Sequence, residues 1–487
     1  MRAPEHIVSL VTGIQESLFE RQGLSKDQVL AVRDYLERGP VGHRSAKPET
    51  EWPADIEVRS IVLERLNEYT FGDYQETRDM FINPRLTQYD KTNMVRRFVN
   101  LFQLCREEFG NIRSTYISTI PTMMANGLCI TTPEDEDVIL ISEGLLYGLP
   151  NLIKVDVKYD FPNIQAIAEN PHETDESTRS KFIQFANLLV GGFISLIAEG
   201  ASPDRMRYSP AKPVLFTGFD TWRSNEILQK SILKTLDTFD RNEILRYPTD
   251  NYQIMYYKLR GIVLFIIAHE FSHAANEHNS IRATGEVVAS EEFVQILLQN
   301  LINIAPKYDG VALTEFVSPH FLRFQPLEIQ ADADAMYMIS RYAERHQLSD
   351  YQTQAMYEGV ALLYTLINMY EESHLAARLG SQDAIKVIST HPHERNITMS
   401  REHPCPYSRP ELALQVAQSS YNLDSERIIA LIHRSIIKYD LAWGTIRGEV
   451  FRQLDAGELR LQNDDILSAL PPLRSMGHID EGLGLST

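Results

Sequence analysis

The side chains in this sequence best suited to chemistry form a His-Glu-x-x-His pattern made by His269, Glu270 and His273. In an α-helix, residues four apart lie about one turn apart on the same face, so both imidazoles can bind one Zn²⁺. The glutamate can then reach a water held by that ion, as peptide-bond hydrolysis requires. Residues 261–268 are almost wholly apolar, which predicts a buried helix. The alternative is a core helix with two hydrogen-bonded histidines, but burying three ionisable groups without a metal or partner is costly.

A zinc hydrolase also needs a third protein ligand and an open coordination position. Glu328 is followed four residues later by Asp332, so these two carboxylates share one face of a helix. Glu328 can bind the metal while Asp332 accepts a hydrogen bond from the second nitrogen of a ligating histidine. Pro326 is well placed to begin this helix. The other candidate ligand, Glu292, lies in an acidic stretch typical of a helix N-terminus, so we favour Glu328.

Three segments together form a more specific pattern. Residues 269–278 end in a further histidine, His278; residues 328–332 read Glu-x-x-Ala-Asp; and residues 389–393 begin with Ser-Thr-His-Pro. In this order and at these separations, they resemble the motifs of the HtpX-like and CAAX-prenyl-protease-like peptidases. These enzymes are gluzincins, whose metal is held by two histidines and a glutamate. The resemblance covers about residues 120 to 400 and lies in the motifs.

The resemblance implies a set of site residues. One Zn²⁺ per chain would be held by His269, His273 and Glu328, with Glu270 as the general base. His391, the histidine of the Ser-Thr-His-Pro segment, would lie near the zinc, where it steadies the transition state or occupies the fourth metal position. These roles come from the family pattern and are expectations for this chain.

The chain also departs from the family. His278 stands five residues after the second ligand, which turns it off the ligand face of a helix, so we expect it behind the ligands or at the surface. The family arginine follows His-Pro at a longer spacing than Arg395 does here. Many members span membranes, whereas the longest apolar runs of this chain, 188–198 and 262–268, are shorter than the roughly 20 residues of a spanning helix. Location and substrate therefore do not carry over.

The sequence predicts an α+β fold that is mainly α with a small β-sheet. Residues 126–131 and 137–142 are expected to form short strands around a turn, and 152–157 a further strand. One strand of the hairpin could receive an extended substrate peptide, or the hairpin could be purely structural. Helices are predicted near 92–110, 178–200, 253–278, 326–345 and 352–374. Tyr337 and Tyr364 could donate to an oxyanion, although such tyrosines are more often plain core residues.

The predicted domain organisation has three parts. A helical N-terminal module covers 1–118, a zincin-like metallopeptidase core covers 119–403, and a helical C-terminal module covers 404–487. The last assignment includes a helix start at Ser408-Arg409-Pro410. No chemistry is expected in either flanking module.

Composition limits the function classes. The 487 residues carry a formal net charge of −19, which disfavours binding to phosphate backbones and hence to nucleic acids. Three scattered cysteines fit a reducing compartment better than a disulfide framework. The first residues lack a basic and then apolar leader, and we expect a soluble, cytoplasmic protein without a transmembrane segment.

The sequence therefore predicts a zinc-dependent endopeptidase that hydrolyses a protein or peptide substrate. Two alternatives stay open. One is a latent protease specific for one target and controlled by an activating or inhibitory protein partner. The other is a non-catalytic helical scaffold that binds a protein partner.

Overall fold

The computed structural model describes most of the core of the chain. The described ranges are 3–21, 92–110, 114–122, 127–144, 148–159, 174–199, 249–279, 319–389 and 408–462, with isolated residues between them. Within these ranges the helices are α1 (Glu5–Arg21), α2 (Thr92–Phe109), α3 (Leu149–Lys158), α4 (Glu176–Ile197), α5 (Thr249–Ala275), α6 (Pro319–Arg345), α7 (Asp350–Leu379), α8 (Ser381–Ile388), α9 (Arg409–Tyr421) and α10 (Ser425–Asp455).

A small mixed sheet stands beside these helices. It consists of β1 (Thr115–Ile120), β2 (Gly127–Thr131) and β3 (Asp137–Ser142), in the spatial order β1-β3-β2. β1 runs parallel to β3, whereas β2 pairs with β3 antiparallel, so the predicted hairpin is confirmed. The predicted α+β class is confirmed in this coarse form.

Alternating side chains of the sheet face two different layers. Val138 and Leu140 of β3 pack into a cluster with the apolar side chains of α1. Ile139 and Ile141 point the other way, into the main core that contains α5. This is the two-residue period of a strand that is buried on both faces. The sheet thus separates α1 from the helix that carries the His-Glu-x-x-His pattern.

Helix α5 is the centre of the core, and every residue from 261 to 274 is buried. A helix that is apolar almost all round must be buried in this way. It crosses α7 so closely that the backbones touch at two glycines. A Cβ added to Gly261 would lie 2.3 Å from the carbonyl oxygen of Met356, and one added to Gly359 would lie 2.2 Å from that of Lys258. Only glycine permits this approach, which fixes α5 against α7.

Two expectations about local structure are wrong. Residues 152–157 form part of α3 instead of a strand, with Leu149, Leu152 and Ile153 buried at helical spacing. An apolar run this short is compatible with the two-residue period of a strand and with the 3.6-residue period of a helix. A proline in the first turn favours the helix. Pro326 does not begin its helix, because α6 starts at Pro319 and continues through it. An internal proline destabilises a helix because it removes one backbone hydrogen bond. Here the burial of the turns that follow Pro326 stabilises α6 by more than that loss.

The flanking segments make extensive contacts with the core. β1 crosses the predicted boundary between residues 118 and 119 and pairs with β3. At the other end, α9 packs on α6, and α10 packs on α4 and α7. The three predicted parts of the chain remain a prediction, but side chains beyond residue 403 lie within reach of the core.

One described helix, α4 (Glu176–Ile197), is long and apolar enough to cross a membrane by length and composition alone. However, 78% of its most apolar window is buried inside the fold, as in the core helix of a soluble protein. Its side chains pack against α3 and α10. Helix α4 is therefore part of the core of the fold.

Candidate metal centre

The two histidines of the pattern lie on one face of α5, as helical spacing predicts. Both His269 and His273 are buried, and their Nε2 atoms are 3.1 Å apart. Their rings meet at an interplanar angle of 81°, so that the Nε2 atoms converge while the rings do not stack. One turn of helix thus supplies two nitrogen donors directed at one point.

Glu328 reaches the same point from α6. Its Oε2 lies 3.4 Å from Nε2 of His269, and its Oε1 lies 3.4 Å from Nε2 of His273. The carboxylate is almost completely buried, at 1% exposure. The structure therefore brings together the three residues that the sequence proposed as ligands, although α5 and α6 are separate in the chain.

The spacing of these donors fits a small divalent cation. Donors bound tetrahedrally at about 2.0–2.1 Å from Zn²⁺ are separated from one another by about 3.3–3.4 Å. The three contacts described above, at 3.1, 3.4 and 3.4 Å, approach this value, with Glu328 presenting a different carboxylate oxygen to each histidine. Two imidazoles and one carboxylate form the ligand set of a zinc hydrolase, and other divalent metals that favour imidazole can use the same donors.

Asp332 lies behind His269, at the position expected from its spacing to Glu328. Its Oδ1 is 2.8 Å from Nδ1 of His269. When Nδ1 donates its hydrogen to this carboxylate, Nε2 keeps its lone pair for a metal. Burial alone would raise the pKa of Asp332, but Arg409 and His269 hold it below its usual value.

Arg409 is the important residue that the sequence did not reveal. Its guanidinium donates to both oxygens of Asp332, from Nε at 2.7 Å and from Nη2 at 2.8 Å, and Nη2 lies 3.9 Å from Oε2 of Glu328. It begins α9, beyond the predicted end of the core at 403. In the sequence, Arg409 gives only a helix-start signal, and the family pattern directs attention to Arg395 instead.

Three carboxylates and one guanidinium of the described residues are buried around the histidines. The carboxylates are those of Glu270, Glu328 and Asp332, and the guanidinium of Arg409 pairs with Asp332 at 2.7 Å and lies 3.9 Å from Glu328. Burial opposes protonation of His269, but hydrogen bonds that its ring donates to Asp332 and Glu328 outweigh burial and raise its pKa to about 10. A cation at Nε2 therefore competes with a proton for the same site.

Glu270 lies against the sheet, on the side of α5 that faces β2. It is 6% exposed, and its side chain packs over Gly127, the first residue of β2. A Cβ added to Gly127 would lie 2.6 Å from Cγ and 3.0 Å from Oε1 of Glu270. The absence of a side chain at Gly127 thus leaves room for the expected general base.

A third carboxylate on α6, that of Asp334, joins this helix to α5 and α9. Asp334 accepts hydrogen bonds from Ser272 and Asn276 near the end of α5, and from Tyr421 at the end of α9. Burial raises its pKa, against the effect of these hydrogen bonds. Because Arg409 and Tyr421 stand at opposite ends of α9, this helix holds α6 at two points next to the histidines.

The structure gives no reason to assign Tyr337 or Tyr364 as a donor to an oxyanion. Tyr364 is fully buried, packs edge-on against Phe265, and lies with its ring 5.7 Å from the Arg409 guanidinium. Tyr337 stacks on Tyr421 at 4.1 Å. Tyr364 is a core residue, whereas Tyr337 is partly buried, and their contacts with Arg409 and Tyr421 support α9.

Three residues considered from the sequence lie outside the described part of the chain: Glu292, His391 and Arg395. The role implied for His391 therefore remains a prediction. His278, expected behind the ligands or at the surface, is buried and contacts His273.

No protein-family model, curated protein or solved structure matches this chain. The functional interpretation therefore rests on the residues of the site and on the motif resemblance.

Proposed function

We propose that the protein is a zinc-dependent endopeptidase that hydrolyses peptide bonds of a protein substrate. The observation that carries this proposal is the convergence of His269, His273 and Glu328 at the spacing of ligands on one ion, with Glu270 next to the first histidine. The carboxylates buried around the histidines also favour a divalent cation at this point. The motif resemblance supports zinc and a zincin-like core.

When bound, Zn²⁺ polarises a scissile carbonyl and lowers the pKa of a water towards neutrality. Glu270 accepts the proton of the attacking water and delivers it to the leaving amine. Its buried position next to Gly127 limits competing hydration of the carboxylate. Asp332, held by Arg409, fixes the tautomer and orientation of His269. His391 is proposed to hydrogen-bond the developing oxyanion.

The strand beside the site bears on how a peptide would bind. β3 lies between β1 and β2, so both of its edges are already paired, and it cannot accept a further strand. β2 is the hairpin strand next to Glu270, through Gly127. We therefore propose that an extended substrate lies along β2 at its Gly127 end, away from the Cys129 carbonyl oxygen that Asn279 already occupies, and that main-chain hydrogen bonds orient it there.

The decisive test replaces Glu270 with glutamine, which keeps the shape of the side chain and removes its basicity. We expect Glu270→Gln to bind zinc as wild type does and to cleave about 10²–10⁴-fold more slowly. Metal content would be measured by mass spectrometry, and cleavage by a peptide library and by new protein N-termini in cells. Glu134→Gln, in the exposed turn between β2 and β3, is the matched control.

The same experiment separates the rival functions. A zinc-binding scaffold would retain the metal but give the same N-termini in cells with the wild-type and Glu270→Gln proteins. A latent protease would leave the peptide library intact, yet show one target cleaved in cells by the wild type alone. If Glu270→Gln cleaved as fast as wild type, the proposed mechanism would be wrong.

We also propose a cytoplasmic location. Cys105 and Cys129 are buried thiols, and burial raises the pKa of Cys105 well above its usual value, which makes it unreactive. This pattern fits a reducing compartment. Fractionation of cells that make the full chain would test the location.

A further inference from the structure

We infer that His278 is a positioning residue that fixes His273 as a metal ligand. This inference rests on the proposed metal site, but not on the proposed peptidase activity. The contact that carries it joins Nδ1 of His273 to Nδ1 of His278 at 2.7 Å, between two side chains that are 5% and 3% exposed. The rings lie 4.9 Å apart at 71°, so the contact is a directed hydrogen bond instead of a stack.

The backbone is bent to make this contact. In a continuous helix, a residue five positions after His273 would point well away from it. Helix α5 ends at Ala275, and Glu277 adopts φ of 54°, a left-handed conformation that is uncommon without glycine. This residue breaks the helical period, and the next residue, His278, lies against His273.

The turn is also tied to the sheet. Asn279 donates from Nδ2 to the carbonyl oxygen of Cys129, at 3.2 Å, and to Oγ1 of Thr131, at 3.1 Å. Both acceptors belong to β2. His278 is thus held between a left-handed residue on one side and an anchored asparagine on the other, which fixes its ring next to His273.

To bind a metal, His273 needs a lone pair on Nε2. This requirement decides which of the two Nδ1 atoms, that of His273 or that of His278, donates the hydrogen. If His278 donated to His273, the hydrogen of His273 would sit on Nε2, which faces His269 and Glu328 and would then have no lone pair for a metal. If His273 donates from Nδ1 to His278, its Nε2 is free to bind. The role of His278 is therefore that of a neutral acceptor that selects the metal-binding tautomer of His273.

The two proposed ligands thus have different partners. His269 donates to a carboxylate, Asp332, which is itself held by Arg409. His273 donates to an uncharged imidazole, which is oriented by a turn instead of an ion pair. Removing the acceptor at position 278 should misorient His273 without changing the charge of the site.

Two replacements of His278 test this role. Phenylalanine keeps a buried planar ring but has no acceptor. Asparagine has an oxygen three bonds from Cα, as Nδ1 of histidine is, and can accept the same hydrogen bond. We expect His278→Phe to weaken Zn²⁺ binding about 10–100-fold, and His278→Asn to restore most of that loss. Dissociation constants for Zn²⁺ would be measured on the full chain by competition with a chromophoric chelator.

A merely structural role predicts a different result. It would lower the thermal midpoint of the chelator-treated protein, and asparagine, which is smaller than phenylalanine, would not recover affinity. His278→Leu provides a second non-accepting variant if the phenylalanine protein does not fold. Zinc binding equal to wild type in either non-accepting variant would overturn the inference, as would equal losses in all variants.

The outcome is distinguishable from failure of the proposed function. If wild type binds zinc with the expected dependence on residue 278 but cleaves no peptide in cells or in a library, the inference stands and the peptidase proposal fails. If wild type binds no zinc, both fail.

Discussion

Helix α5 carries two buried charged clusters, about three turns apart, and they are built differently. The first surrounds Lys258 and the second surrounds His269 and His273. Burial is similar, since Lys258 is 5% exposed and His269 is 8% exposed. Both clusters draw partners from distant parts of the chain. Their geometry indicates a structural role for the cluster around Lys258 and supports the proposed metal-binding role for the cluster around His269 and His273.

In the first cluster, every charge has a direct partner of opposite sign. Asp156 accepts from Lys258 through Oδ2 and from Lys438 through Oδ1, at 2.8 Å for the latter. Lys258 also contacts Glu358 at 2.8 Å. Two ammonium groups face two carboxylates, so the charge is balanced and no further ion is required. This cluster joins α3, α5, α7 and α10 and supports the fold.

In the second cluster, the donor atoms of the side chains converge on one point between them. His269, His273 and Glu328 direct lone pairs or carboxylate oxygens at the same position, while Asp332 and Arg409 hold the arrangement from behind. Burial and charge alone therefore do not identify a site. Donor atoms that converge on one point do.

The largest expected effect is on the balanced cluster. Asp156→Asn leaves the partly buried Lys438 without its carboxylate and the buried Lys258 with only Glu358. We expect a loss of about 3–5 kcal/mol in the free energy of unfolding, measured in urea, with zinc affinity unchanged. Asp383→Asn, in an exposed ion pair with Lys386, should change stability by less than about 1 kcal/mol. A change in zinc affinity at Asp156 would break the distinction between the clusters.

The pH dependence provides a check on this effect. Burial opposes ionisation of Asp156, but Lys258 and Lys438 outweigh it and hold its pKa well below its usual range. A depressed pKa in the folded state contributes stability above the unfolded value of about 3.9, and this contribution is lost as pH falls through the folded value. The stability difference between wild type and Asp156→Asn should therefore shrink below about pH 4. A constant difference down to about pH 3 would contradict the assignment.

The next prediction concerns two glycines, Gly127 beside Glu270 and Gly359 beside Lys258, where an added side chain would collide with its neighbour. Gly127→Ala places a methyl group 2.6 Å from Cγ of Glu270 and should displace this proposed general base. We expect turnover to fall about 10²-fold, as for a misplacement near 1 Å, while zinc stays bound. Gly359→Ala meets the backbone of Lys258 instead, and should lower stability by about 1–3 kcal/mol or more. Equal turnover in Gly127→Ala and wild type would show that Glu270 acts differently.

The smallest predicted effect is that of Asp332→Asn, which makes in the second cluster the same substitution that Asp156→Asn makes in the first. Asp332→Asn can still accept from His269 but loses the charge that Arg409 binds. We expect Zn²⁺ affinity to fall about 10–100-fold, measured by chelator competition. Arg409 retains Glu328 at 3.9 Å, so stability should fall less than in Asp156→Asn. An unchanged zinc affinity would place Asp332 among purely structural residues.

Part of this arrangement follows from the sequence. The spacing of His269 and His273 places them on one face of any helix, and Glu328 and Asp332 share a face for the same reason. The apolar stretch before His269 predicts a buried helix, and the hairpin of β2 and β3 follows from two short apolar runs around a turn. These features depend on the period of the backbone, which a short segment sets by itself.

The remainder was decided by tertiary structure. Arg409 reaches Asp332 across 77 positions of sequence, and only the packing of α9 on α6 makes that contact. His278 meets His273 because the left-handed turn at Glu277 breaks the helical period. Gly127 gives Glu270 its space only because β2 lies against α5. Local periodicity specifies which side chains share a face, whereas the partners across that face depend on long-range packing, which no local pattern records.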